Sequence, residues 1–212
     1  NTVSNLGFIG AGLWIAWSLG RERRRGALPR SGNRMTETRF YPGFFAALTA
    51  LLGPGSMALH ASLTWWGSVL DLVSMNVFIG FVFSYALVRW CGLGTGPFLA
   101  SFILVNAVLL AIKLVHGHGS GAFGVVAVVS LAIELRIRRI RPVSGDGRYL
   151  LAAGAVFLAS FAVWLASQND GLLCDPGSWL QGHGLWHLGC AASALLLYLY
   201  MQSEHGEAGA PA

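Results

Sequence analysis

Four ionisable residues, His60, Asp71, His183 and His187, fall inside or at the ends of stretches that are otherwise apolar. Ionisable side chains are costly in hydrocarbon, and the few that membrane chains keep face the interior and carry function. His183 and His187 are four residues apart, so on a helix they share one face and can present two imidazoles to one ion. Catalytic zinc sites typically take three protein ligands and leave the fourth position to water. His60 is the natural third ligand. Neutral imidazoles leave zinc its full charge, which lowers the pKa of a bound water to about 7. Asp71 is then expected to hold or deprotonate that water and not to be a ligand itself. Ser56 lies one helical turn before His60 on the same face, where its hydroxyl can hydrogen-bond a ligand, the water or an oxyanion.

Each of these residues also has an ordinary reading. An intramembrane histidine commonly hydrogen-bonds between helices. A serine in such a helix commonly bonds the carbonyl four residues back. Two histidines can also hold a haem. A haem carrier, however, needs histidines facing one another from different helices, and it would leave Asp71 without a part. Elsewhere, His116 and His118 read as a solvated loop and His205 as part of a tail. Glu134 reads as the i+4 partner of Arg138. Cys91, Cys174 and Cys190 form no CxxC pair, and their odd number leaves at least one unpaired within the chain.

The elements that must position these residues are membrane helices. The chain has 212 residues, 55% of them hydrophobic and 11% charged, with a mean hydropathy of +0.60. A soluble domain carries about 25% charged residues. Seven apolar segments are predicted, at 3–20, 38–61, 66–89, 97–115, 120–137, 149–167 and 180–201, each near the ~20 residues that span a bilayer. They form one transmembrane domain over 1–202, followed by a polar tail at 203–212 that is expected to be disordered. The formal charge is +5. Its source is a set of arginines between apolar segments, so membrane topology accounts for it and no nucleic-acid partner is expected. Every basic residue except Lys113 is arginine, a composition common in GC-rich bacterial genomes. The first residue is Asn1 and not Met, so an upstream segment is expected. Arg21 to Arg25 follow the first apolar segment, which is not the order of a signal peptide.

Orientation follows from the same arginines. All fourteen basic residues except Lys113 fall in the connections after the first, third and fifth segments. The positive-inside rule puts those connections in the cytoplasm, with the N-terminus outside and the C-terminus inside. His60 near the end of the second segment, Asp71 near the start of the third, and His183 and His187 near the start of the seventh then all lie in the outer leaflet. A bacterial inner membrane, with the site toward the periplasmic leaflet, is the expected location; an ER or Golgi membrane is the alternative.

At these residues the chain resembles the alkaline ceramidase family, within a superfamily that includes the adiponectin-receptor-like and GPI-lipid-remodelling proteins. Three blocks carry the resemblance: Asn1-Thr2-Val3-Ser4-Asn5-Leu6, then Gly53-Pro54-Gly55-Ser56-Met57-Ala58-Leu59-His60 with the downstream Asp71, and Gly182-His183-Gly184-Leu185-Trp186-His187, which is similar to the family's GHxxWH signature. The resemblance implies a seven-helix hydrolase with zinc on His60, His183 and His187, and with Asp71 and Ser56 in support. The implied reaction is hydrolysis of the amide of a ceramide, giving a sphingoid base and a fatty acid. Two departures stand out. Family members carry Glu and Pro after the Asp, within a DExPM-like run, where this chain has Asp71-Leu72-Val73-Ser74-Met75. They also carry an acidic calcium-binding segment before the Asn-Thr-x-Ser-Asn block, and a cysteine there that pairs with one in the sixth connection, the position of Cys174. Calcium is therefore not expected in this chain as given, whose outer loops offer only Asp170 and Asp175 among carboxylates.

The leading expectation is an intramembrane zinc amidase acting on a ceramide-like or N-acyl lipid. A lipid esterase or phospholipase of the same superfamily, and a lipid-binding receptor with structural zinc, are the alternatives. Met75, Phe78 and Phe81 on the third segment are candidate substrate-lining residues, with ordinary helix packing as the competing account.

Overall fold

The computed structural model describes residues 2–26, 32–140, 145–168, 171, 173, 174, 177, 178 and 181–205. Asn1, Arg30, Arg141, Asp170, Asp175 and positions 206–212 of the expected tail lie outside the described residues, as does the side chain of Arg23. Among the described residues the chain is all-helical. A 3-10 turn at Val3–Asn5 leads into α1 (Leu6–Arg24), and a single helical turn, α2 (Arg34–Glu37), precedes α3 (Phe40–Ser62). Then come α4 (Trp65–Cys91), α5 (Thr95–His116), α6 (Ser120–Ile140), α7 (Gly147–Ala166) and α8 (Gly182–Ser203). Seven of these helices are long and apolar enough to cross a membrane. They coincide with the seven expected segments to within a few residues. The differences lie at the ends, where polar residues continue a helix past the apolar core: α6 runs through Arg136, Arg138 and Arg139 to Ile140.

α3 and α4 form a tight antiparallel pair. Leu63 ends α3 in the left-handed conformation, and its N–H bonds the Leu59 carbonyl. Thr64 caps α4, its hydroxyl accepting from the Gly67 N–H at 3.0 Å. α1 packs on α3 and α8, α7 packs on α8, and α4 carries both α5 and α6. Among the described residues the backbones of α6 and α7 make no close approach, and the Arg138 guanidinium of α6 reaches the start of α7 beside Gly147.

The core is aromatic. Phe45, Phe81, Phe98, Tyr41, Tyr85, Tyr198 and Tyr200 are almost fully buried, and Phe81 meets Phe45 and Phe98 with ring centroids 5.4 Å apart in both cases. A buried charge cluster closes the end of the bundle that holds the arginine-rich connections. Arg89 Nη1 donates to Glu134 Oε2 at 2.7 Å, and Arg89 also pairs with Glu204. The Tyr200 hydroxyl donates to Glu134 Oε1 at 2.5 Å. The expected i+4 pair of Glu134 with Arg138 is thus replaced. Glu134 is buried and takes the cation of α4, and Arg138 instead donates to the Tyr200 hydroxyl at 3.3 Å. Asn33 caps the end of α8 from outside the helix: its Nδ2 donates to the carbonyls of Met201, Gln202 and Glu204 at 3.0, 3.1 and 2.8 Å. Ser203 closes α8 and Glu204 is buried, so the first residues assigned to the tail belong to the folded bundle.

Candidate metal centre

The opposite end of the bundle gathers the residues with chemistry. The His60, His183 and His187 rings converge from two helices, with centroids 4.8 Å apart for His60–His183, 5.0 Å for His60–His187 and 4.7 Å for His183–His187. One nitrogen from each can be chosen so that all three lie within 4.8 Å of one another. A tetrahedral ion with bonds of about 2.0–2.1 Å needs its nitrogens about 3.3 Å apart, so a small closure of the rings seats it. Three imidazoles and no thiolate form a donor set suited to zinc among several transition metals. His187 is buried, and His60 and His183 are half-buried, so an ion there would be shielded but reachable.

The sequence explains why α8 presents this face. Trp186 lies between the two histidines in the chain and turns the other way, toward α7. Its ring is 5.3 Å from Phe157, 5.7 Å from Phe161 and 6.1 Å from Trp164. That aromatic contact fixes the rotation of α8 about its axis, and the i, i+4 histidines are left facing α3.

α3 and α4 supply the rest. The Ser56 hydroxyl lies within hydrogen-bonding reach of the Asp71 carboxylate, and His60 and Lys113 are also near it. This close approach depends on Gly55. A Cβ at that position would stand 2.4 Å from Ser74 Cβ, so any side chain would push α4 away and carry Asp71 with it. Ser74 is itself one of the residues that depart from the family's run after the Asp. Its hydroxyl donates to the Asp71 carbonyl at 2.7 Å, and it forms the α4 side of the Gly55 contact. Pro54 sits inside α3 beside these glycines and removes one backbone N–H from the helix ladder just before Ser56.

The structure therefore brings together Ser56, His60, Asp71, His183 and His187. The candidate lining residues separate. Phe81 is enclosed in the aromatic core, 5.8 Å from Phe44 and 5.8 Å from Tyr85, which is a packing position. Met75 and Phe78 are half-buried and pack against Phe8, Leu52 and Ala191, on the side of α4 that faces α1 and α8. Two residues at the site were not singled out for chemistry by the sequence. Ser4 Oγ lies 2.9 Å from His187 Nδ1. Lys113 Nζ, buried at the end of α5, donates to Ser68 Oγ at 2.9 Å and to the Gly117 carbonyl at 2.9 Å, one helical turn before Asp71. Lys113 was visible as the one basic residue at this end of the bundle. All three cysteines are free, with Cys91 and Cys174 exposed and Cys190 half-buried.

Comparison with known proteins gives one positive finding. The family model described as Ceramidase matches residues 1–208, nearly the whole chain. No curated protein matches the chain.

Proposed function

The chain belongs to the ceramidase family, and from that premise we propose that it is an intramembrane zinc-dependent amidohydrolase that releases a fatty acid from ceramide or a similar N-acyl lipid. The family implies a hydrolase with a ceramide-type lipid as substrate, and the seven long apolar helices make the chain a multi-pass membrane protein. The observation that carries the finer reading is the convergence of three imidazoles beside a carboxylate–hydroxyl pair at one end of the bundle.

Zinc held by His60, His183 and His187 would polarise the amide carbonyl and acidify a water. The protein's own groups do the rest. Asp71 accepts a proton from the attacking water and is the group positioned to pass it to the departing amine. Water's oxygen forms the new bond to the carbonyl carbon, the C–N bond breaks, and the products are a carboxylic acid and an amine. Ser56 holds the Asp71 carboxylate in one orientation, and its hydroxyl can turn to the developing oxyanion. Lys113, anchored by Ser68 and the Gly117 carbonyl, is placed at the same end of the bundle as Asp71 and is proposed to help orient the polar groups there.

The space between the backbones of α6 and α7, away from the Arg138–Gly147 contact, is the proposed lateral access for lipid. Met75 and Phe78 are proposed to meet the chain of the bound lipid, beneath Asp71. The distribution of arginines supports a site in the outer leaflet, which in a bacterial inner membrane is the periplasmic one.

The test is release of free fatty acid by the purified protein from a panel of long-chain N-acyl lipids and lipid esters. Ceramide is expected to be cleaved, and Asp71→Ala is expected to slow cleavage by roughly 10²–10⁴-fold. Saturable binding of these lipids without hydrolysis of amide or ester would replace the enzyme with a lipid receptor.

A further inference from the structure

The 3-10 turn Val3–Asn5 that leads into α1 lies against both α3 and α8. Asn5 is fully buried, and its carbonyl oxygen stands 2.9 Å from where a Cβ on Gly53 would be. α3 therefore accepts the turn at this depth only because residue 53 has no side chain. So seated, the turn brings Ser4 Oγ to 2.9 Å from His187 Nδ1, across 183 residues of chain. His187 is only 4% exposed, so water has little access to that nitrogen.

An imidazole has two nitrogens and ligates through whichever one its other hydrogen bond leaves free. We propose that Ser4 is a positioning residue of the metal centre: His187 Nδ1–H donates to Ser4 Oγ, which fixes the tautomer and turns Nε2 toward His60 and His183. The hydrogen bond also makes Nε2 a better electron donor and limits rotation of the ring, the two effects by which groups behind metal ligands tune affinity. The N-terminal turn thereby becomes part of the metal centre, although it contributes no ligand. This role rests on the three-histidine centre proposed above.

The experiment strips metal from the purified full chain and titrates it with zinc against a chromophoric chelator. Ser4→Ala is expected to weaken zinc binding by about 10–100-fold. Ser4→Thr, which keeps a hydroxyl at the same distance, is expected to restore it, with the metal-free melting temperatures of all three proteins the same. A Ser4→Ala protein that binds zinc as tightly as the wild type overturns the proposal. So does an affinity loss that Thr does not restore and that a lower metal-free melting temperature accompanies, because Ser4 is then only part of the packing. A wild-type chain that takes up no zinc overturns the metal-centre reading itself, and the role of Ser4 with it.

Discussion

In the proposed reaction Asp71 and Ser56 divide two tasks that a single substitution each can separate. Asp71 is proposed to handle the proton and to bind no metal, so Asp71→Ala is expected to retain zinc and lose activity by roughly 10²–10⁴-fold. Zinc loss in that variant, measured by elemental analysis, would make Asp71 a ligand instead. Ser56→Ala is expected to cost less, about 10- to 1,000-fold in turnover, with zinc unchanged. These residues were legible in the sequence because they are ionisable or polar in apolar surroundings, and because i, i+4 spacing fixes a shared face. Ser4 was not, since its contact with His187 joins opposite ends of the chain and no local pattern announces it. Glu134 was misassigned for a related reason. The i+4 rule describes pairs on an exposed helix surface, whereas this carboxylate is buried and takes the nearest buried cation, Arg89 from another helix.

The helices hold the site at one end and a charge cluster at the other, and each end makes its own prediction. Arg89 of α4 serves Glu134 of α6 and Glu204 just beyond α8, so Arg89→Leu strands two buried carboxylates and is expected to cost about 3–5 kcal/mol, read as a large drop in melting temperature in detergent. Burial first, and the neighbouring Glu134 second, push the Glu204 carboxyl up to about 7, with Arg89 and hydrogen bonding from Tyr200 opposing, and Arg138 adding a weaker opposing charge. Its pKa in the folded chain therefore lies above its value in the unfolded chain. The associated stability is complete below the ordinary carboxylate range and is lost as pH rises through about 7. The chain is expected to melt at a higher temperature at pH 6 than at pH 8, and Glu204→Gln is expected to flatten that difference; a wild-type melting temperature that rises with pH would contradict it. The spans of the helices were legible because seven runs of apolar residues leave few alternatives. Their rotations were not. The turn of α8 toward α7 depends on the Trp186 contacts, and the closeness of α3 to α4 depends on Gly55 meeting Ser74, both of which are facts of packing between distant segments.

For the whole molecule the arginine distribution predicts an orientation, with the histidine end outside. Two of its own cysteines report on it. Cys91 ends α4 at the arginine-rich end, Cys174 lies in the α7–α8 connection at the histidine end, and both are exposed. A membrane-impermeant thiol reagent applied to intact cells is expected to label Cys174 and spare Cys91, with Cys91→Ser and Cys174→Ser assigning the signal. The reverse pattern would invert the topology and put the site on the inner side. The seven-helix frame followed from composition, and the family resemblance from three short blocks, but the assembly of those blocks into one site required the structure. The claim on which the rest depends is that His60, His183 and His187 hold a zinc ion. Metal analysis of the purified protein, wild type beside His183→Ala, tests it most directly. Stoichiometric zinc is expected in the wild type and its loss in the variant. A wild-type chain without zinc, or a His183→Ala chain that retains it fully, would rule out a three-histidine zinc centre.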